Sequence, residues 1–121
     1  MNKSTLTRIA ALSVALLIVS GCSQKNFDDH INEARQHFEQ GDNKAAIIAL
    51  KNAIQLAPQA AQPRFELGKI YLLEQDYESA EKELSRALDY GYAKAEVLPL
   101  LSKAFQQTRA DLAMSELPLA S

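Results

Sequence analysis

Apolar residues recur along most of the chain at the three- and four-residue intervals of amphipathic helices, and short polar breaks separate the runs. The stretch after Asp76 is typical. Ala80, Leu84, Ala87 and Leu88 fall on one helical face, and Glu78, Lys82, Glu83 and Arg86 fall on the other, which reads as a solvated charged face. The breaks carry stop and start signals. Gly41 and Gly91 suit left-handed helix ends, Pro58 cannot continue a helix, and Asp42 or Asn43, and Asp76, are N-cap residues. Pro63 fits a first turn, where its missing N–H costs nothing. Five helices are predicted, over about Phe27–Gln40, Asp42–Ala57, Ala61–Gln75, Tyr77–Tyr90 and Lys94–Gln107. No long β-branched or aromatic run argues for a sheet.

The helices repeat. Shifting the chain by 34 residues aligns Ala46 with Ala80, Leu50 with Leu84, Ala53 with Ala87, and Gln40-Gly41-Asp42 with Glu74-Gln75-Asp76. One period further, Leu67 meets Leu101, Lys69 meets Lys103 and Tyr71 meets Phe105. A fixed period of helix pairs is the mark of a solenoid, in which each unit buries its apolar face only against its neighbours.

The N-terminus reads as an address. Lys3 and Arg8 precede an apolar run from Ile9 to Val19, and the small residues Ser20 and Gly21 lead into Cys22, the single cysteine of the chain. That is the tripartite form of a secretory signal peptide. Val19-Ser20-Gly21-Cys22 resembles the lipobox of bacterial lipoproteins, which implies cleavage before Cys22 and a covalent lipid on its thiol. The alternative is an ordinary signal peptide followed by a stray thiol, which would have no disulfide partner in the chain. Ser23 follows the cysteine where an Asp would imply inner-membrane retention, so the periplasmic side of the outer membrane is expected. Four segments result: a signal peptide 1–21, a lipidated tether 22–26, a repeat array 27–107 (units 27–60, 61–94 and a partial 95–107), and a degenerate tail 108–121.

Charge and motifs narrow the function. Thirteen basic residues stand against fifteen acidic ones, with no basic stripe, so nucleic acid is not expected as a partner. There is no Gly-rich phosphate loop, nucleophile elbow or HExxH motif. His30 and His37 stand two helical turns apart, about 10.5 Å, too far to chelate one metal. Neither a catalytic residue, nor a metal site, nor a cofactor beyond the lipid on Cys22 is expected.

The chain resembles the tetratricopeptide repeat (TPR) family. Leu67, Gly68 and Tyr71 stand at the family's first-helix signature places, and Ala80, Leu84 and Ala87, like Ala46, Leu50, Ala53 and Pro58, at its second-helix places. The resemblance implies an all-α solenoid of antiparallel helix pairs, about two and a half repeats long. It also implies a non-catalytic protein-binding role, with a protein or peptide segment held in a groove lined by the first helix of each repeat. Carried over by position, the groove residues are Ile31, Arg35, Phe38, Phe65, Lys69, Leu72, Lys103 and Gln106. Phe38, Phe65 and Leu72 would be apolar anchors and Arg35, Lys69 and Lys103 a basic line; the alternative is that several of these pack within the array. The carboxylate clamp of some family members is not expected, because Ile31, Arg35, Glu66, Glu96 and Leu100 occupy its places.

The words AAIIALKNAIQLAP, ELGKIYLLEQDYESAEKEL and GYAKAEVLPLLSKAF are similar to the start of TPR lipoproteins of the PEP-CTERM/exosortase system. That likeness implies a scaffold in exopolysaccharide assembly or export. The competing expectation is an adaptor for cell-wall hydrolases or outer-membrane assembly. After Phe105 the repeat fails, because Gln107-Thr108-Arg109 replaces a Gly-containing turn. The chain therefore reads as a shortened array whose apolar end either pairs with a second copy or is covered by a folded-back tail, Asp111 to Leu117.

Overall fold

In the computed structural model, which describes residues 25–118, five helices follow one another without strands among the described residues: α1 (Phe27–Glu39), α2 (Asn43–Leu56), α3 (Ala61–Leu73), α4 (Tyr77–Asp89) and α5 (Lys94–Ser115). The expected signal peptide and the expected lipidation site, Cys22, lie outside the described residues. The helices pack as antiparallel pairs, α1 on α2 and α3 on α4, with α5 on α4. Contact between the pairs, through α2 and α3, is sparser. This is the all-α helix-pair solenoid the repeat implies.

The turns inside each pair share one design. After α1, Gly41 adopts φ 77°; its N–H donates to the Phe38 carbonyl (3.0 Å) and the Asp42 N–H to the His37 carbonyl (2.9 Å). After α3, Gln75 takes the same left-handed form at φ 61°, with the Gln75 N–H on Leu72 (3.2 Å) and the Asp76 N–H on Tyr71 (2.9 Å). Both are Schellman closures, which satisfy carbonyls that the helix end leaves free. The same Asp then caps the next helix: Asp42 accepts from the Ala45 N–H and Asp76 from the Ser79 N–H. Each aspartate therefore ends one helix and begins another. Asn26, expected in the tether, is instead the N-cap of α1, in a reciprocal pair with Asp29.

Two apolar clusters form the core. The first joins Ile31, Ala34, Ala46, Ala49, Leu50, Ala53, Leu67 and Ile70, and the second Phe65, Ala80, Leu84, Ala87, Val97 and Ala104. The small residues set the spacing. Gly68 is buried against α4, and a Cβ placed on it would lie 2.6 Å from Leu84 Cγ. The alanines at 46, 53, 80 and 87 are fully buried and let the helix axes approach closely.

Two expectations are corrected. The fifth helix does not stop near Gln107, and no tail folds back: α5 runs on through Ser115, and residues 109–118 are exposed. The repeat register explains the continuation. One period after Gly41 and Gln75 stands Arg109, and after Asp42 and Asp76 stands Ala110. Without a capping aspartate, a stretch rich in Ala, Leu, Arg and Met stays helical. Pro99, the sixth residue of α5, is accommodated on the exposed side of the helix.

Glu83 is the second correction. It does not belong to a solvated face but is buried, as is Arg64, and their side chains meet at 2.9 Å. Arg64 also donates to the Pro58 carbonyl (3.1 Å) and lies over the Tyr90 ring. One guanidinium thus ties α3 to α4 and to the α2–α3 connection.

Candidate protein-binding groove

The first helices of successive units, α1, α3 and α5, frame a groove of about 320 Å³. Its floor is the buried surface of Ile31, Ala34, Leu50 and Ile70, and Phe38, Leu72, Leu73 and Leu100 form apolar walls. Arg35, Lys69, Lys103, Gln62 and Glu66 provide the polar lining. The three helices stand side by side because the repeat turns return the chain to the same face once per unit. Places 31, 35 and 38 of α1 therefore recur as 65, 69 and 72 of α3 and as 99, 103 and 106 of α5.

Six of the eight positions chosen from the sequence are brought together here: Ile31, Arg35, Phe38, Lys69, Leu72 and Lys103. Phe65 is not. It is buried, stacked on Tyr92 with ring centroids 4.1 Å apart. The repeat register gave no signal of this, since the counterpart of Phe65, Ile31, is also buried and yet lines the groove. Gln106 is exposed outside the groove lining. Ile70, Leu73 and Gln62 line the groove without having been singled out, and Glu66 and Leu100, named only as occupants of clamp places, line it as well. Leu73 is the most open of the apolar ones, at 62% exposure.

The basic line is uneven. Lys69 Nζ sits 2.8 Å from Glu66 and 5.0 Å from the Phe65 ring centroid, so its charge is already partnered. Arg35 and Lys103 have no carboxylate within ion-pair distance among the described residues. The groove therefore offers an apolar floor with two cations on opposite sides, one on α1 and one on α5, neither paired with a carboxylate among the described residues. An apolar segment bearing a carboxylate suits that arrangement.

Away from the groove, Glu33 stands between His30 (3.5 Å) and His37 (4.0 Å) and accepts from Lys25 (2.9 Å). That hydrogen bond from Lys25 is the main cause holding the Glu33 carboxyl below its ordinary value, with further help from His30. Among the described residues no group of three potential ligands is placed to hold a metal ion. No described helix is long and apolar enough to cross a membrane.

Paired helices, shared capping aspartates and a groove across first helices define a helical-repeat scaffold. A tetratricopeptide repeat profile matches residues 37–104, more than half of the chain, and the chain belongs to that family. A search of curated proteins finds no match. Repeats of this family generally serve as non-catalytic interaction scaffolds, and protein or peptide segments are their typical ligands.

Proposed function

We propose that the chain is a non-catalytic adaptor lipoprotein of the bacterial envelope whose groove holds an apolar, acidic segment of another protein. The observation that carries this reading is the groove itself: an apolar floor crossing three helices, flanked by Arg35 and Lys103, which have no carboxylate partner among the described residues. A segment laid across it exchanges apolar surface for affinity and uses its carboxylates for register, the helix- or strand-in-groove mode of recognition. The rim charges act more on encounter rate and selectivity than on total affinity.

Anchoring is proposed through a lipid on Cys22, on the strength of the lipobox-like Val19-Ser20-Gly21-Cys22, and the outer membrane's periplasmic face on the strength of Ser23. Two or more acyl chains, at about 0.8 kcal/mol per buried CH₂, would hold the protein firmly. The words shared with PEP-CTERM/exosortase lipoproteins support a place in exopolysaccharide assembly or export.

The groove is tested with defined peptides. A probe alternating Leu or Phe with Asp or Glu should bind, and its counterpart with Lys in place of the acids should not. Arg35→Glu combined with Lys103→Glu should weaken the acidic probe. Equal binding of both probes overturns the assignment. Anchoring is tested by fatty-acid labelling, which Cys22→Ser should abolish together with membrane fractionation. The pathway is tested by secreted polysaccharide in a strain lacking the protein, which should fall.

A further inference from the structure

One flank of α5, outside the groove and beside the face that packs on α4, carries a pattern that is self-complementary about its centre; its far end, Leu112, borders the α3–α4 turn. Leu98, Phe105 and Leu112 are seven residues apart and lie within about 20° of one line along the helix. All three are open to solvent, at 49%, 47% and 57% exposure. Lys94 precedes this line by one turn and Glu116 follows it by one turn, on the same face, and both are exposed. Centred on Phe105, the order is cation, leucine, phenylalanine, leucine, anion.

From this we propose that α5 pairs antiparallel with α5 of a second copy, about a twofold axis at Phe105. A twofold interface must be self-complementary, each position meeting its mirror place. In this register Leu98 faces Leu112 of the second copy, the two Phe105 rings meet at the axis, and Lys94 faces the opposite Glu116. A parallel pairing would place Lys94 on Lys94 and Glu116 on Glu116. The charges thus select both the occupant and its direction.

Arg109 lies over the Phe105 ring, 5.4 Å from its centroid. Its stem extends the apolar surface while its charge remains at the rim. The two Arg109 side chains would be about 12 Å apart along the helix, eight residues at 1.5 Å each, too far for strong repulsion. Leu100 and Lys103 lie on another side of α5, in the groove. Pairing would therefore leave both grooves of the dimer open, and it stands independently of what the groove binds.

Cysteine cross-linking of the full chain in membranes tests the register, with the parent chain as the control for Cys22. Phe105→Cys should give a disulfide-linked dimer on mild oxidation. Leu98→Cys alone should not, whereas Leu98→Cys mixed with Leu112→Cys should. In detergent, sedimentation of Phe105→Glu should show dimer dissociation increased by at least about tenfold, with the helical circular-dichroism signal of a folded chain retained because the site is half exposed. Absence of a Phe105→Cys dimer above the parent, or dimerisation unaffected by Phe105→Glu, overturns the pairing. A Leu98→Cys self-cross-link as strong as that of Phe105→Cys overturns the antiparallel direction.

Discussion

Leu84 fills the space that a side chain on Gly68 would need, with its Cγ 2.6 Å and its Cδ2 2.8 Å from where a Cβ would stand. Leu84 is fully buried, so its branch point has nowhere to retreat. Alanine favours a helix interior over glycine by about 1 kcal/mol. Overpacking a tight core costs about 1–3 kcal/mol. The steric effect should win, and Gly68→Ala is expected to lower stability by up to about 2 kcal/mol in urea unfolding. Leu84→Ala alone should cost about 2–5 kcal/mol. The double variant should be more stable than the sum of the two losses predicts, because the added methyl group then enters the vacated space.

Gln75 occupies a left-handed place that its counterpart Gly41 fills without strain. A left-handed conformation costs an L-residue roughly 1–2 kcal/mol, part of which glycine returns as unfolded-state entropy. Gln75→Gly should raise stability by about 0.5–1 kcal/mol. Thermal melts of Gln75→Gly and Gly41→Ala should move in opposite directions.

Arg64 and Glu83 form a buried ion pair, and each depends on the other. Glu83→Ala strands a buried guanidinium and should cost about 3–5 kcal/mol. Arg64→Met with Glu83→Leu removes both charges and should fall within about 1 kcal/mol of the parent, since apolar replacements of buried pairs are often neutral. A double variant as unstable as Glu83→Ala would mean that the Pro58 and Tyr90 contacts of Arg64, and not the ion pair, hold this junction.

The Tyr92 phenol titrates above its ordinary range because burial disfavours the phenolate, and the charges of Glu96 and Glu66 push in the same direction. A pKa raised by folding gives a contribution that is complete below the unfolded value, near 10.0, and lost as pH rises through the folded value. Alkaline unfolding should therefore coincide with phenolate formation at Tyr92, followed by ultraviolet absorbance. Tyr92→Phe keeps the stack on Phe65 and should shift the alkaline limit upward.

Phe38 projects from α1 at 43% exposure. Phe38→Asp should change stability by less than about 1 kcal/mol. It should nevertheless abolish binding of the apolar, acidic probe, since it removes a wall and repels carboxylates. A large loss of stability with retained binding would place Phe38 in the core and outside the interface.

Helix number and order were legible because the sequence marks its turns: Gly41, Asp42, Pro58, Asp76 and Gly91 stand at or beside the breaks. The groove was legible through recurrence, since places that face it in α1 face it again in α3. Phe65 escaped because a turn residue, Tyr92, covers it, and single-helix periodicity does not register a partner arriving from a loop. The buried pair escaped because Arg64 and Glu83 lie on different helices and each resembles a surface charge. The register held the clue: Glu83 is the counterpart of Ala49, which is buried. The reach of α5 is not legible from the repeat, because the loss of its two turn residues at Arg109 and Ala110 is not the end of order. It removes only the signal that stops a helix.

The aspartates that close one helix and open the next have a mechanical consequence. Between α1 and α2, and between α3 and α4, no residue is spare, so neither turn can lengthen or swivel without losing a cap. Slack is left at the two connections that no side chain caps, Ala57 to Ala60 and Tyr90 to Ala93, and the first of these joins the two pairs that touch least. The groove spans both. Its width should therefore answer to the few contacts that stiffen these joints, with the Arg64 bond to Pro58 foremost at the first.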